Sequence, residues 1–441
     1  MVKNTFFLKG DICWSSSPLS LKTAPNSFLL CWDGKSGGIY AEIPPQYTNL
    51  PVMDFTGKLI IPGLTDLHIH APQFTFRAMG MDMELLEWLN KNTFPEEAKY
   101  RDLEYAREAY KEFIKHEKKG PNTRLCIYAT THVQGTLLLA DMLEESGLVG
   151  YVGKVNMDRN CPDYIREDDS KAATLEWLDE YYKRREEGLY KNTMPILTPR
   201  FIPSCSDELL KSLSEIKRKY GLPVQSHLSE NRKEIEWVRE LCPKSENYAK
   251  AYADFGLMEG EKAVIMAHCV WSDEKELDLL AEKGVYIAHC PQSNINLSSG
   301  IAPARRFLEK GIHVGLGSDV AGGVHTSIFR AMTDAIQVSK LRQALIAPKE
   351  KSLTLEEAFY LGTAGGGSFF GDAGSFEEGW DFDAIIIDDS SLNAFANTPG
   401  RNKQAIDKEA GMCLHDRLER VVYLSDDSHI IKKYVRGNPV L

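Results

Sequence analysis

Five residues that could bind one metal ion each end an apolar run. His68 and His70 stand two residues apart, and His227, His268 and Asp319 follow in that order further along the chain. In a strand, side chains two positions apart point to the same face, so His68 and His70 can reach one ion together. Imidazole and carboxylate suit Zn²⁺, and imidazole also suits Fe²⁺. The set therefore predicts a catalytic metal site with a coordination position left for water.

Three nearby residues have functions that the spacing leaves open. Glu230 lies three residues after His227, where it could move protons beside the metal or simply open the next helix as a solvated acid. His268 either binds the metal or hydrogen-bonds its water. His289 either belongs to the site or is only a packing residue or one that lies behind the site residues. Asp319 can serve both as a ligand and as acceptor of the water proton.

Two polar residues are placed to bind the substrate. Gln73 lies three residues past His70, and Arg200 ends a predicted strand. An amide offers a donor and an acceptor side by side, whereas a guanidinium offers only donors. Together they suit a flat heterocycle with adjacent N–H and C=O groups, although either residue could instead be structural.

The middle of the chain alternates predicted strands with predicted helices. A strand at 193–201, a helix at 206–220 and a strand at 223–228 form one unit, with Ser206 as N-cap and Gly221 as helix stop. Further units place helices at 231–241, 272–283 and 303–310, and strands at 263–270, 285–290 and 313–319. This alternation indicates a parallel sheet with crossover helices, and chemistry at the C-terminal strand ends favours an α/β (β/α)₈ TIM barrel over residues 64–371.

The two ends of the chain have strand character. Strands are predicted at 6–14, 28–32 and 38–43, with a hairpin turn at Asp33-Gly34, and again at 382–388. A second hairpin is predicted from 420–425 and 429–435. We expect residues 1–63 and 372–441 to form one small composite β-sandwich domain.

Composition limits the partners and the compartment. The 441 residues carry a net charge of −11, which argues against a nucleic-acid partner. Nine cysteines without a C-x-x-C pattern are typical of reduced thiols, and no apolar window is long enough for a membrane span. These features predict a cytoplasmic protein with no membrane partner. A homodimer is expected from the symmetry common among soluble oligomers.

Four stretches resemble guanine deaminases, which are mononuclear-metal deaminases of the amidohydrolase superfamily. Residues 62–73 (PGLTDLHIHAPQ) resemble the first metal motif of that family, and residues 198–206 (TPRFIPSCS) resemble its purine-binding arginine segment. Residues 225–231 (QSHLSEN) resemble its proton-shuttle segment, and residues 153–158 (GKVNMD) are also similar. The resemblance spans most of the chain.

The resemblance implies hydrolysis of guanine to xanthine and ammonia by a metal-activated hydroxide. It assigns one Zn²⁺ per chain, with Fe²⁺ as the alternative, to His68, His70, His227 and Asp319, with His268 at or beside the ion. Catalysis is assigned to Glu230, Asp319 and His268. Purine binding is assigned to Gln73, Arg200, Phe201 and His227.

Three alternatives stand beside this interpretation. A related amidohydrolase could act on a pterin, an adenosine derivative or a triazine. A dinuclear amide-ring hydrolase would need a bridging carboxylated lysine, for which Lys154 is the candidate and against which Arg200 argues. A non-enzymatic scaffold of the same fold would be expected to have lost ligands, and here the whole set is present.

Overall fold

The computed structural model describes residues 4–393 and 413–441. Part of the predicted C-terminal unit, residues 394–412, therefore lies outside the described residues. The strands are β1 (Phe6–Ser17), β2 (Ser20–Trp32), β3 (Lys35–Tyr40), β4 (Val52–Pro62), β5 (Leu64–His70), β6 (Asn122–Tyr128), β7 (Val149–Gly153), β8 (Val155–Asn156), β9 (Thr193–Pro195), β10 (Thr198–Pro199), β11 (Val224–Leu228), β12 (Val264–His268), β13 (Tyr286–His289), β14 (His313–Leu316), β15 (Ala384–Ile387), β16 (Ile430–Val435) and β17 (Asn438–Pro439).

Helices connect most of the central strands and give the fold its mixed α/β character. No helix within residues 4–393 and 413–441 is long and apolar enough to cross a membrane. The α-helices are Leu85–Trp88, Phe94–Glu97, Leu103–Lys119, Val133–Ser146, Ser170–Glu186, Asp207–Tyr220, Arg232–Leu241, Tyr248–Asp254, Glu274–Glu282, Pro291–Asn296, Ala304–Glu309, Ile328–Leu345, Leu355–Tyr360, Ser390–Asn393 and Leu414–Leu424.

Strands from both ends of the chain form one sheet, in the order β17-β16-β15-β4-β1-β2-β3. The predicted turn at Asp33-Gly34 is confirmed: both residues have positive φ, 50° and 79°, and Trp32 pairs with Lys35. Hydrogen bonds join all seven strands continuously. Among the described residues, the strands from the two chain ends thus form one hydrogen-bonded sheet, whereas two stacked sheets were expected.

The predicted strand at 420–425 was wrong. Helix Leu414–Leu424 occupies this segment, and only the partner strand of the supposed hairpin, β16, is present. Leu418, Val421 and Val422 are buried at helical spacing, so this apolar run buries one helix face against the core.

Eight of the central strands form two parallel sheets of four, in the orders β5-β6-β7-β9 and β11-β12-β13-β14, and β8 and β10 form a separate parallel pair. A parallel bridge between Leu197 and Val224 links the two groups. The predicted strand at 193–201 is divided into β9 and β10, which end at Pro195 and Pro199. Proline lacks the N–H that a continuous ladder would use, which explains the interruption.

Helix limits were predicted closely where a cap fixes them. Ser206 accepts a hydrogen bond from the Leu209 N–H (3.1 Å), and Gly221 is left-handed with φ 61°, as expected for helix Asp207–Tyr220. The helix predicted from Ser272 begins two residues later. Its N-cap is Asp273, whose carboxylate accepts from the Glu276 N–H.

Candidate metal and substrate site

Three histidine side chains converge at the C-terminal ends of β5 and β11. The Nε2 atoms of His68 and His70 lie 3.2 Å apart, and His227 Nε2 lies 3.4 Å from His70 Nε2. The β5–β6 ladder is irregular between Asp66 and Ile69, and the two histidines still point into the same space. The predicted pairing of His68 with His70 is therefore present in the fold.

Asp319 and His268 complete this group. Asp319 Oδ1 lies 3.2 Å from His68 Nε2 and 3.3 Å from His70 Nε2. His268 Nε2 lies 3.7 Å from Asp319 Oδ2. We call these five residues (His68, His70, His227, His268 and Asp319) the metal-ligand cluster; all five predicted ligands come together.

Backbone geometry aims two of these side chains. His268 has φ 74° and Asp319 has φ 47°, a left-handed conformation that costs L-residues energy. His268 is the last residue of β12 and Asp319 lies three residues beyond the end of β14, so the chain turns at both positions and directs the side chain across the strand ends. Asp66 reinforces the arrangement, because its carboxylate accepts hydrogen bonds from the N–H groups of His68 (3.0 Å) and Ser318 (3.1 Å).

In two of the histidines, a hydrogen bond made by Nδ1 determines that Nε2 is the ring nitrogen without a hydrogen atom. His227 Nδ1 lies 2.5 Å from the carbonyl oxygen of Arg200, an acceptor, so Nδ1 carries the hydrogen. His268 Nδ1 lies 2.9 Å from Asn294 Oδ1 and donates likewise. In the neutral form, Nε2 of both rings then presents a lone pair to the cluster, as metal ligands do.

Burial favours the neutral histidines that metal binding requires. Loss of solvent lowers the pKa of His68, lowers that of His70 to about 4 and lowers that of His227 well below the usual range. Neutral rings with lone pairs 3.4 Å apart repel each other unless a cation lies between them. Among the residues that the structure describes, His268 Nε2 also has no hydrogen-bond partner although it is buried. The donor set therefore fits a divalent cation.

Glu230 lies beside the cluster. Its Oε2 is 3.5 Å from His268 Nε2, and its Oε1 accepts a hydrogen bond from Ser299 Oγ at 3.2 Å. Burial, with the nearby charge of Asp319, raises the pKa of Glu230 to about 8. This carboxyl group can therefore hold a proton near neutral pH, which a solvated helix-opening glutamate would not do.

A cavity extends from the cluster and is lined by both apolar and polar side chains. Gln73, Arg200 and Phe201 line it together with Glu230, and the apolar lining comes from Leu85, Trp88, Leu89 and Leu297. A mostly apolar cleft with a few converging polar groups is the usual form of a small-molecule site. The predicted substrate residues thus share one cavity with four of the five predicted metal ligands, His70, His227, His268 and Asp319.

Residues 59–440 match the model of the amidohydrolase family. The chain belongs to this family. A guanine deaminase of Dictyostelium discoideum is 38% identical over 88% of this chain and 84% of its own length. The guanine deaminase of Homo sapiens is 39% identical over 87% of this chain and 83% of its own length.

Solved amidohydrolase structures agree over the whole length. Guanine deaminase from C. acetobutylicum, with guanine bound in its active site, is 42% identical and superposes with a TM-score of 0.92 over 99% of this chain and 100% of that one. The E. coli guanine deaminase is 30% identical, with a TM-score of 0.85 and 99% of each chain covered.

Lys154 does not have the surroundings that a dinuclear amidohydrolase would need. Its ammonium group is buried, pairs with Glu167 and donates to the carbonyl of Val155 at 3.1 Å. His289 is buried too, and among the described residues it joins neither group of potential ligands. Of the two interpretations of His289, packing beside the site fits this position.

Sequence reasoning missed three residues that contact the site. Cys290 lies close to His68, His268 and Asp319 in a group that could hold a metal ion, and burial raises the pKa of its thiol well above the usual range. Asn294 holds His268, and Glu97 contacts both Gln73 and Arg200. Only Cys290 carried a local signal, its place at a strand end next to His289.

Proposed function

We propose that this amidohydrolase converts guanine and water to xanthine and ammonia. The observation that carries the proposal is the single cavity in which Gln73, Arg200 and Glu230 face the metal-ligand cluster. The guanine bound in the 42%-identical C. acetobutylicum enzyme supports this substrate over a pterin, an adenosine derivative or a triazine.

The metal that we propose is one Zn²⁺ per chain, with Fe²⁺ as the alternative. His68, His70, His227 and Asp319 would hold it, with His268 at or beside it. When bound, such an ion supplies a Lewis acid that lowers the pKa of water to about 7. The short distances among the Nε2 atoms and Asp319 Oδ1 support a shared ion.

The protein residues bind the ring and move the protons. Gln73, Arg200 and Phe201 hold the purine, with His227 at the edge of the same cavity. Asp319 accepts a proton from the attacking water. Glu230 Oε2 gives its proton to the ring nitrogen beside C2, takes up the proton of the hydroxyl group formed at C2 and passes it to the departing amine, so that ammonia leaves neutral. The proton held by Asp319 then restores the acid form of Glu230. His268 Nε2, between Glu230 and Asp319, aligns the water.

We also propose the finer architecture predicted from the sequence: a closed (β/α)₈ barrel at 64–371 and a composite domain from 1–63 and 372–441. Backbone hydrogen bonds from Asp319 N to His68 O (2.8 Å) and from His70 N to Val320 O (3.2 Å) support closure, since they connect the segment after β14 to β5. The homodimer and the cytoplasmic location stay predictions.

Ammonia release from guanine, with metal counted in the same sample, tests the proposal. We expect turnover with about one Zn²⁺ per chain, loss of turnover on chelation, and recovery on adding Zn²⁺ back. The panel should include a pterin, adenosine and a triazine. Metal without guanine turnover would contradict the substrate, and turnover that survives complete chelation would contradict the metal.

A further inference from the structure

A single buried carboxylate joins the two residues that we assign to purine binding. Glu97 is 1% exposed, and its Oε1 accepts a hydrogen bond from Gln73 Nε2 at 2.8 Å. Its Oε2 accepts one from Arg200 Nη1 at 2.6 Å. Gln73 and Arg200 lie 24 and 103 residues from Glu97 in sequence, so this contact exists only in the folded chain.

The contacts of Glu97 decide what Gln73 and Arg200 can offer a ligand. Gln73 Oε1 accepts from the Ala321 N–H (3.1 Å), so both ends of this amide are oriented and one N–H remains available. Within the described residues, the Arg200 guanidinium donates a hydrogen bond only to the carboxylate of Glu97. Its remaining N–H groups can therefore donate to a ligand in the cavity.

Glu97 also ties these residues to the cavity wall. Leu85, Trp88 and Leu89 line the cavity and belong to the same helical segment, which includes a π-helical turn at Leu89–Thr93 and ends its second α-helical turn at Glu97. The Arg200 guanidinium also lies over the ring of Phe94, 5.2 Å from its centroid. Single π-helical turns are frequent at functional sites.

We propose that Glu97 is a positioning residue that makes the cavity selective for 6-oxopurines. This inference rests on the proposed function. By holding one Arg200 nitrogen, Glu97 turns the remaining N–H donors of Arg200 toward the purine ring. A 6-oxo group can accept hydrogen bonds from these donors, whereas a 6-amino group would place a second donor against them. By holding Gln73 Nε2, it also prevents the amide from flipping.

The substitution Glu97→Gln separates this role from simple packing, because the side chain keeps its size. Two donors converge on the carboxylate, and a neutral amide can accept only one of them with its oxygen while its NH₂ group opposes the other. Either Gln73 or Arg200 must then move. Glu96→Gln is a matched control, since Glu96 is the neighbouring buried carboxylate and pairs with Thr75, Lys99 and Tyr105 instead.

Binding of hypoxanthine, a 6-oxopurine without the 2-amino group, measures positioning independently of turnover. We expect the Kd of the metal-loaded Glu97→Gln variant to rise about tenfold, the worth of one charge-assisted hydrogen bond, with metal content unchanged. Its preference for hypoxanthine over adenine should narrow, and with guanine its KM should change more than its kcat. The Glu96→Gln variant should bind hypoxanthine as the unchanged chain does.

Several results would overturn the role of Glu97. An unchanged Kd, or equal losses in the Glu97→Gln and Glu96→Gln variants, would reduce Glu97 to a packing residue. If Glu97→Gln does not fold, Glu97→Asp keeps the charge but shortens its reach, and unchanged selectivity in that variant would also reject the proposal. If the unchanged chain did not turn over guanine, the proposed function would be rejected. If Glu97→Gln left turnover and selectivity unaltered, only the positioning role would be rejected.

Discussion

Two carboxylates beside the metal-ligand cluster have different surroundings, and this difference divides their work. Asp319 lies within 3.3 Å of two imidazole rings, so its carboxylate is suited to bind the metal and to accept a proton. Glu230 contacts Ser299 and lies 3.5 Å from His268 Nε2, at the edge of the cavity. Glu230 can therefore reach a bound purine ring. Asp319, as the proposed metal ligand, is less free to do so.

The substitution Glu230→Gln should remove most turnover and spare the metal. An amide of the same size keeps the contact with Ser299 but cannot carry a proton to the ring, so kcat should fall about 100-fold or more. Metal analysis and steady-state kinetics check both parts. Ser299→Ala, which removes only the hydrogen bond to Oε1, should cost far less. A Glu230→Gln variant with a near-normal kcat would exclude Glu230 as the proton carrier.

Arg200→Lys should weaken guanine binding without unfolding the chain. A lysine preserves a positive charge next to the buried Glu97, but it loses the planar fork of donors that can serve Glu97 and the purine together. We expect KM to rise about tenfold, with a smaller change in kcat. Kinetics with guanine, alongside thermal unfolding, separates binding from stability. A KM equal to that of the unchanged chain would remove Arg200 from the substrate site.

Among the elements, helix Arg232–Leu241 holds the backbone of Glu230, the residue that we propose as proton carrier. Glu234 in its first turn accepts hydrogen bonds from the N–H groups of Glu230 (3.1 Å) and Asn231 (3.2 Å), and Tyr248 donates to its other oxygen. Asn231 caps the same helix, which completes a capping box. The same carboxylate, that of Glu234, therefore fixes both the start of this helix and the backbone position of Glu230.

The substitution Glu234→Ala should consequently affect both stability and rate. The buried N–H group of Glu230 and the Tyr248 hydroxyl lose their acceptor, so the free energy of unfolding should fall by about 1–3 kcal/mol. Because Glu230 is then less well held, kcat should also fall while metal content stays constant. Tyr248→Phe removes one of these bonds and leaves the box intact. If Glu234→Ala changed stability alone, the link to Glu230 would be wrong.

Elements with a local signal were predictable from sequence. Ser206, Gly221 and the Asp33-Gly34 turn mark their limits by side chain or by positive φ, and the structure has them where expected. The helix at Leu414–Leu424 was not predictable in the same way. Its apolar run at 421–424 matches a short strand as well as a helix, and only packing of Leu418 with the core decides between them.

The residues of the candidate site also differ in whether a local sequence pattern revealed them. The metal-ligand cluster could be predicted because each member lies at or within three residues of the C-terminal end of a strand, and parallel strands bring those ends together. Glu97 could not, because it stands in a charged stretch typical of a solvent-exposed helix. Its burial depends on Gln73 and Arg200, whose distance along the chain leaves no local pattern.

For the whole molecule, one buried ion-pair group connects the composite sheet to the parallel strands. Arg124 on β6 donates to Asp381 at 2.7 Å and to Asp383 at 2.6 Å, just before β15. Arg436, after β16, is partly exposed and donates to the same oxygen of Asp381 at 3.1 Å. Strands from distant parts of the chain are thus held together around the buried Arg124–Asp383 pair, and removing one partner of that pair would leave the other uncompensated.

This connection predicts a specific acid sensitivity. Burial alone would raise the pKa of Asp381, but the charge of Arg124 and a hydrogen bond from Lys35 outweigh it and lower the pKa to about 2. Because the folded pKa lies below the ordinary value of 3.8, the stabilisation is complete above about pH 4 and is lost as the pH falls toward 2. Protonating the carboxyl group in acid weakens its pairing with Arg124.

Urea unfolding of the unchanged chain and of Asp381→Asn at pH 6 and pH 3 measures this contribution. The variant should be less stable at pH 6, and the difference between the two chains should shrink at pH 3 by roughly 1 kcal/mol. Loss of bound metal in acid is common to both chains and cancels in the difference. Asp163→Asn, at a carboxylate whose side chain is 86% exposed, should follow the unchanged chain at both pH values. A difference that is the same at pH 6 and pH 3 would mean that Asp381 stabilises the junction by packing, with its charge contributing nothing.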